Sequence, residues 1–263
     1  AQMLLDPVTK VLLSKFGDLS AVTYFEMANR LAFQARSILI SANQVMVPYF
    51  AKLHVVDKQR VSPVYKNSLS MIFFLACVIY STLLALIPVI TLLWLGHLDA
   101  AFMTYTILLI GGWYINNLSA PAYFSYLGSG RLLWNTIAHV LIGVTNIILG
   151  YVLGTFFGAL GVIVAFVVSL TLGSGLIFAS YHLENKVSLL LLFSLENMIL
   201  LLLGIAIPFF AWQLFFTVYG SYGEIIAGML TLILILIVYM PIAWHNTAAK
   251  QLRKWSWDRL KSR

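Results

Sequence analysis

Long apolar runs separated by brief polar breaks dominate the chain, and their lengths suit helices rather than strands. They predict helices over residues 2–15, 19–53, 66–95, 99–127, 131–156, 159–182, 188–216 and 223–247. All but the first reach the twenty or so residues that cross a bilayer. Strand-like alternation is nowhere sustained, so a membrane barrel is not expected. Gly96-His97-Leu98-Asp99, Gly128-Ser129-Gly130 and Tyr219–Gly223 supply the turns. The predicted fold class is all-α: a polytopic membrane protein of about eight transmembrane helices.

Composition agrees. Hydrophobic residues make up 61% of the 263 positions and charged residues 10%, against about 25% charged in soluble globular chains. Lipid offers the backbone no hydrogen-bond partner, so each run must satisfy itself as a helix. The excess of 16 Lys and Arg over 9 Asp and Glu would suit nucleic acid only on a soluble fold with a basic face, so no nucleic-acid partner is expected. The single cysteine, Cys77, lies inside an apolar run and reads as packing.

The charge instead marks sidedness. If the helices alternate, one side receives Lys52, Lys58, Arg60, Lys66, Arg131, Lys186 and the tail cations Lys250, Arg253, Lys254, Arg259, Lys261 and Arg263, while the opposite connectors receive only Lys15. The expectation is a cytoplasmic carboxyl terminus in a bacterial inner membrane. The chain starts at Ala1 and its first run is too short to span, so the sequence reads as the carboxyl part of a longer protein.

The second predicted helix carries the candidate chemistry. Glu26, Arg30, Gln34, Ser37, Ser41 and Gln44 follow one another at steps of three and four, which draws a line along a helix. Asn29, Arg36 and Asn43 form a second line, read as lying beside the first on one broad polar face, with Leu31, Ile38 and Leu39 on the other. An arginine at mid-bilayer depth costs about 2.5–3.5 kcal/mol on insertion scales, so this face is expected to wall a hydrated cavity. The plainer alternative is an i,i+4 packing pair of Glu26 with Arg30 and a snorkelling Arg36. In the first helix Asp6 and Lys10 repeat the i,i+4 spacing around Pro7, which predicts a kink.

Other polar positions read as structural. Glu196 is expected at an interface or paired on its helix rather than as a relay carboxylate, and His139, on one helix with Asn135 and Asn146, bonded to a neighbouring helix rather than facing a pathway. Gly150, Gly154 and Gly158 have the four-residue spacing of close helix packing, and Pro48, Pro88, Pro208 and Pro241 are expected to kink their helices. The Asn117-Leu118-Ser119 sequon lies within an apolar helix and reads as accidental. No phosphate-binding loop, His-Glu-x-x-His, Cys-x-x-Cys or Gly-x-Ser-x-Gly motif is present, so no enzyme activity, metal or cofactor is expected.

The stretch DPVTKVLLSKFGDLSAVTYFEMANRLAFQARSILISANQVMVPYFAKL resembles the start of the carboxyl half of polysaccharide-biosynthesis flippases of the multidrug/oligosaccharidyl-lipid/polysaccharide exporter superfamily. APAYFSYLGSGRLLWNTIAHVLIGVTNIILGYVLGTFFGALGVIVAF, with Asn146 and Gly158-Ala159-Leu160-Gly161, is also similar to that family. The resemblance implies fourteen helices, two lobes around a central cavity and alternating access. On it, 1–182 form the carboxyl-terminal lobe of six helices, the first truncated, 183–247 two added transmembrane helices, and 248–263 a basic tail. The amino-terminal lobe is missing and is the implied protein partner. The implied substrate is a lipid-linked oligosaccharide on polyprenyl pyrophosphate, moved across the bilayer to make surface polysaccharide such as O-antigen. Arg30 and Arg36 would meet the pyrophosphate and Glu26, Asn29 and Gln34 the sugar, with Lys10 and Asp6 nearby. A cation-coupled multidrug antiporter of the same superfamily would favour an acidic cavity. A membrane glycan polymerase or ligase would carry a long outer loop, which the chain lacks.

Overall fold

A computed structural model describes residues 2–188, 194–246 and 250. Among them the chain is helical, without strands: α1 (Gln2–Phe16), α2 (Leu19–Gln44), α3 (Met46–Val56), α4 (Val61–Leu95), α5 (Ala100–Leu118), α6 (Ala120–Ser129), α7 (Leu133–Glu184), α8 (Leu195–Tyr222) and α9 (Glu224–His245), with a 3-10 turn at Lys58–Arg60. Local chemistry sets the ends. The side chains of Asp18 and Asp99 accept from the backbone N–H of Ala21 (2.7 Å) and Phe102 (2.8 Å), capping α2 and α5. Gly96, Gly130 and Gly223 stand at positive φ where helices stop.

Two expected helices are interrupted by prolines. The 19–53 run breaks at Val45 into α2 and α3, and the 99–127 run breaks at Ser119 into α5 and α6. Pro48 and Pro121 follow these breaks and have no N–H to return to the preceding turn. Pro7, Pro88, Pro208 and Pro241 lie inside continuous helices.

As one straight rod, the 52 residues of α7 would span about 78 Å at 1.5 Å per residue, far beyond a hydrocarbon core of about 30 Å. They fold back instead. Gly158 has φ 61° and ψ −143°, a backbone open to glycine and strained for other residues. Gly173 abuts Ile142, a methyl at Gly154 would lie 3.0 Å from Val162, and Trp134 reaches Glu184. Two antiparallel arms therefore meet at Gly158, close to the expected 131–156 and 159–182 segments. Gly150 and Gly154 do serve close packing: a methyl on either would come within 2.6 Å of Leu12 or 2.5 Å of Phe16 in α1. Gly158, expected in the same stripe, is the turn.

The chain divides into two compact units, residues 1–65 with 99–188, and 66–98 with 189–263. Most of α4 clusters with α8 and α9 in the second unit. In that second unit Ala85, Ile207, Ala211, Ile235 and Tyr239 form a core, and Leu92, Phe215 and Ala227 another. Trp212 Nε1 donates to the Leu84 carbonyl (2.8 Å), and the Ser81 and Tyr239 hydroxyls touch. Outward faces carry Ile205, Phe209, Leu236 and Met240, all exposed, as lipid requires. Cys77 is buried.

Among the described residues, four helices are long and apolar enough to cross a membrane: Lys58–Leu95, Leu133–Glu184, Leu195–Gly220 and Ile225–Ile242. Within the first unit, the polar connectors gather at two ends. At one, a methyl on Gly17 would lie 2.8 Å from Ala159, and Tyr24 donates to Asp99 (3.0 Å). At the other, Gly128 abuts Val47 and Phe50, and Arg131 pairs with Glu184 at 2.9 Å. Lys15 belongs to the first end, and Lys52, Lys58, Arg60, Arg131 and Lys186 to the second. Of the tail cations, Arg253, Lys254, Arg259, Lys261 and Arg263 lie outside the described residues.

Candidate functional site

The buried line of α2 is Ala21, Phe25, Ala28, Ala32, Ala35 and Leu39, each no more than 5% exposed. Steps of three and four put these residues on one side of the helix, where they pack against the rest of the first unit. Small side chains dominate because close helix approach, rather than apolar volume, stabilises contacts in lipid. On the opposite side lie Glu26, Arg30, Gln34, Ser37 and Ser41. Arg30, Gln34 and Ser41 are exposed and Glu26 and Ser37 half-covered. A polar line so placed cannot face hydrocarbon at low cost.

The expected single broad face is in fact two. Asn29, Arg36 and Asn43 flank the buried line: Asn29 and Asn43 are buried, and Arg36 is half-covered. Trp113 Nε1 of α5 donates to Asn29 Oδ1 (2.8 Å). Of the residues expected on the face opposite the polar lines, Leu39 belongs to the core, while Ile38 is exposed. The two lines diverge because 26-30-34 and 29-36-43 are about a third of a turn apart at 100° per residue.

The i,i+4 pairs foreseen within α1 and α2 are joined across the two helices. Lys10 bridges Glu26, and Arg30 stands 3.5 Å from the other Glu26 oxygen with 73% of its side chain exposed. Asp6 lies beside Asn29, within reach of the charges of Lys10 and Glu26. Asp6, Lys10, Glu26, Asn29 and Arg30 therefore form one cluster of two cations, two carboxylates and an amide. Gln34 continues its open side one turn along.

Arg36 belongs to a different network. Its Nε donates to Asn116 Oδ1 (2.9 Å), Asn116 Nδ2 donates to Ser174 (2.8 Å), and the guanidinium lies 5.0 Å from the Trp113 ring centre. Hydrogen bonding together with cation–π contact holds the charge where no acid lies within one helical turn. Arg36 lines a cavity of about 280 Å³ with Gln44, Asn116, Ser119, Tyr123 and His139 among its polar residues. His139 does not fit its expected bonding: its Nδ1 is buried without a hydrogen-bond partner among the described residues. Asn146 does bond a neighbouring helix, donating to Thr9 Oγ1 (2.9 Å) in α1.

One polar centre escaped the sequence reading. Glu184 accepts from Trp134 Nε1 (2.6 Å) and Tyr126 (3.1 Å) and pairs with Arg131. It ties α6 and both arms of α7 together at the basic end. Spacing could not reveal it, since its partners lie fifty or more positions away. Glu196 sits in the first turn of α8. Asn117 of the sequon is buried. No group of three or more His, Cys, Asp or Glu able to hold a metal occurs among the described residues.

No protein-family model matches the sequence, and no curated protein matches it. Among solved structures, the fold is similar to that of the lipid II flippase MurJ in an inward closed conformation, with a TM-score of 0.63 and 16% identity over 91% of this chain. The chain spans about half of that protein, 52% of its length. The chain thus shares the helical fold of that protein over about half of its length.

Proposed function

We propose that this chain forms part of an inner-membrane flippase that moves a polyprenyl-pyrophosphate-linked oligosaccharide across the bilayer by alternating access, for surface polysaccharide synthesis. The observation carrying this reading is the uncovered polar line of α2, set on a flippase-type fold. That line needs water or a polar partner, and a central cavity completed by an amino-terminal lobe supplies both. On this reading residues 1–182 act as the carboxyl-terminal lobe, 183–247 as two added transmembrane helices, and 248–263 as a cytoplasmic tail. The concentration of cations at one end of the first unit supports placing that end in the cytoplasm.

Arg30 and Lys10 are the proposed pyrophosphate contacts, with Asp6, Glu26, Asn29 and Gln34 around the adjoining sugar and Arg36 deeper in the lobe. Glu26 holds both cations until the ligand competes for them. The long contact from exposed Arg30 is the one that yields, because guanidinium grips phosphate oxygens through paired hydrogen bonds. The balance of two cations against two carboxylates also suits a cation-coupled drug antiporter, which is the second reading.

Complementation of a strain lacking its own flippase separates the two. The full-length protein should restore surface glycan, Arg30→Ala should abolish it at equal membrane level, and Arg30→Lys should restore part. Normal glycan with Arg30→Ala would overturn the assignment. Drug resistance without glycan would establish the antiporter.

A further inference from the structure

We propose that the cavity beside Arg36 is a second recognition site, for one carboxylate-bearing sugar residue of the glycan, separate from the Arg30 cluster. The proposal rests on the transport reading for the source of its ligand, while the geometry of the site stands on its own. At about 280 Å³ the cavity falls just short of the roughly 300–1,000 Å³ of drug-sized sites, so it takes a single ring rather than an oligosaccharide. All its walls belong to the first unit: α2, the α5–α6 junction and both arms of α7.

The lining selects the chemistry. Arg36 supplies one full positive charge, held by Asn116 and Trp113. Gln44, Asn116 and Ser119 add neutral donors and acceptors, and Tyr123 a ring. One guanidinium balances one carboxylate and can meet it with two parallel bonds. A pyrophosphate brings more charge than this cavity can neutralise, whereas a uronic acid brings one charge and several hydroxyls. His139 also lines the cavity, and its ring adds a second flat face for a sugar to pack on.

The test is binding to the purified full-length protein in nanodiscs, using methyl glucuronide, methyl glucoside and inorganic pyrophosphate as probes. Glucuronide should bind at least about tenfold more tightly than glucoside, the effect of one charge-assisted pair. Arg36→Gln should erase that preference and Arg36→Lys retain part of it. His139→Ala, which removes that ring, should weaken both sugars and keeps the test open if Arg36→Gln fails to fold. Equal affinity for the two sugars, no binding of glucuronide, unchanged preference in folded Arg36→Gln, or displacement of glucuronide by equimolar pyrophosphate would each overturn the proposal. Parallel scoring of surface glycan keeps the readings apart. Failure of the wild type to restore glycan strikes at transport, and failure to bind glucuronide strikes at this site.

Discussion

Glu184, at the end of α7, accepts a hydrogen bond from Trp134 at its start, 2.6 Å away, and the same carboxylate pairs with Arg131 and accepts from Tyr126. One side chain thus closes the open end of the α7 hairpin and fastens α6 to it. Glu184→Gln keeps an acceptor for Trp134, lets its amide donate to the Tyr126 hydroxyl in place of accepting from it, and gives up the charge pair, whose Arg131 is 60% exposed. Its expected cost is under about 1 kcal/mol. Glu184→Ala leaves these donors without their acceptor and should cost about 1–3 kcal/mol. Thermal melting of the purified variants checks the order, and equal melting of the two would remove the hydrogen bonds from the account.

The glycines of α7 should separate by role. Gly158→Ala forces a methyl onto a backbone at φ 61° and 3.3 Å from the Phe16 carbonyl, and should destabilise by about 1–3 kcal/mol. Gly143 has helical backbone and open space around its α-carbon, so Gly143→Ala should be neutral or add up to about 1 kcal/mol through helix propensity. Melting temperatures of the pair decide the matter.

Sidedness is testable at both ends of the first unit. In a Cys77→Ala background, Phe157→Cys at the hairpin turn should react with an impermeant thiol reagent in intact cells. Lys186→Cys should react only after the cytoplasmic face is opened. Both positions are exposed, and the reverse pattern would invert the topology.

A pH effect is expected at the basic end. His54, in the last turn of α3, has its pKa held below the usual imidazole value, first by burial and then by the charges of Arg131 and Lys58. The folded protein therefore favours neutral His54. This stabilisation is present above the unfolded pKa near 6.5 and is lost as pH falls through the lower folded value. His54→Gln should flatten the decline in melting temperature over that acidic window, and an unchanged slope would count against the assignment.

Much of the fold was legible because glycine and apolar run length report directly on helix ends. Gly96, Gly130 and Gly223 stop helices where the sequence placed turns, and a break near Gly158 was expected between two predicted spans. A kink at Pro48 was expected and the break falls just before it, whereas the break before Pro121 was hidden within a run apolar enough to pass as a single helix. The polar line through Arg30 could be read from spacing alone. That Arg36 turns toward Asn116 and Trp113 instead could not, because the choice depends on which neighbour α2 packs against. The same limit hid Glu184, and it hid the link from Lys10 to Glu26, which the sequence offered as two separate intrahelical pairs.

The turn at Gly158 also has a temporal meaning. Ile142 and Gly173, Leu153 and Gly161, and Trp134 and Glu184 meet within one contiguous stretch of chain, so every contact between the arms is available before α8 has been synthesised. Short sequence separation keeps loop-closure entropy small and assembly fast. The paired arms can enter the bilayer as a preassembled wedge, with later helices added to a scaffold already in place.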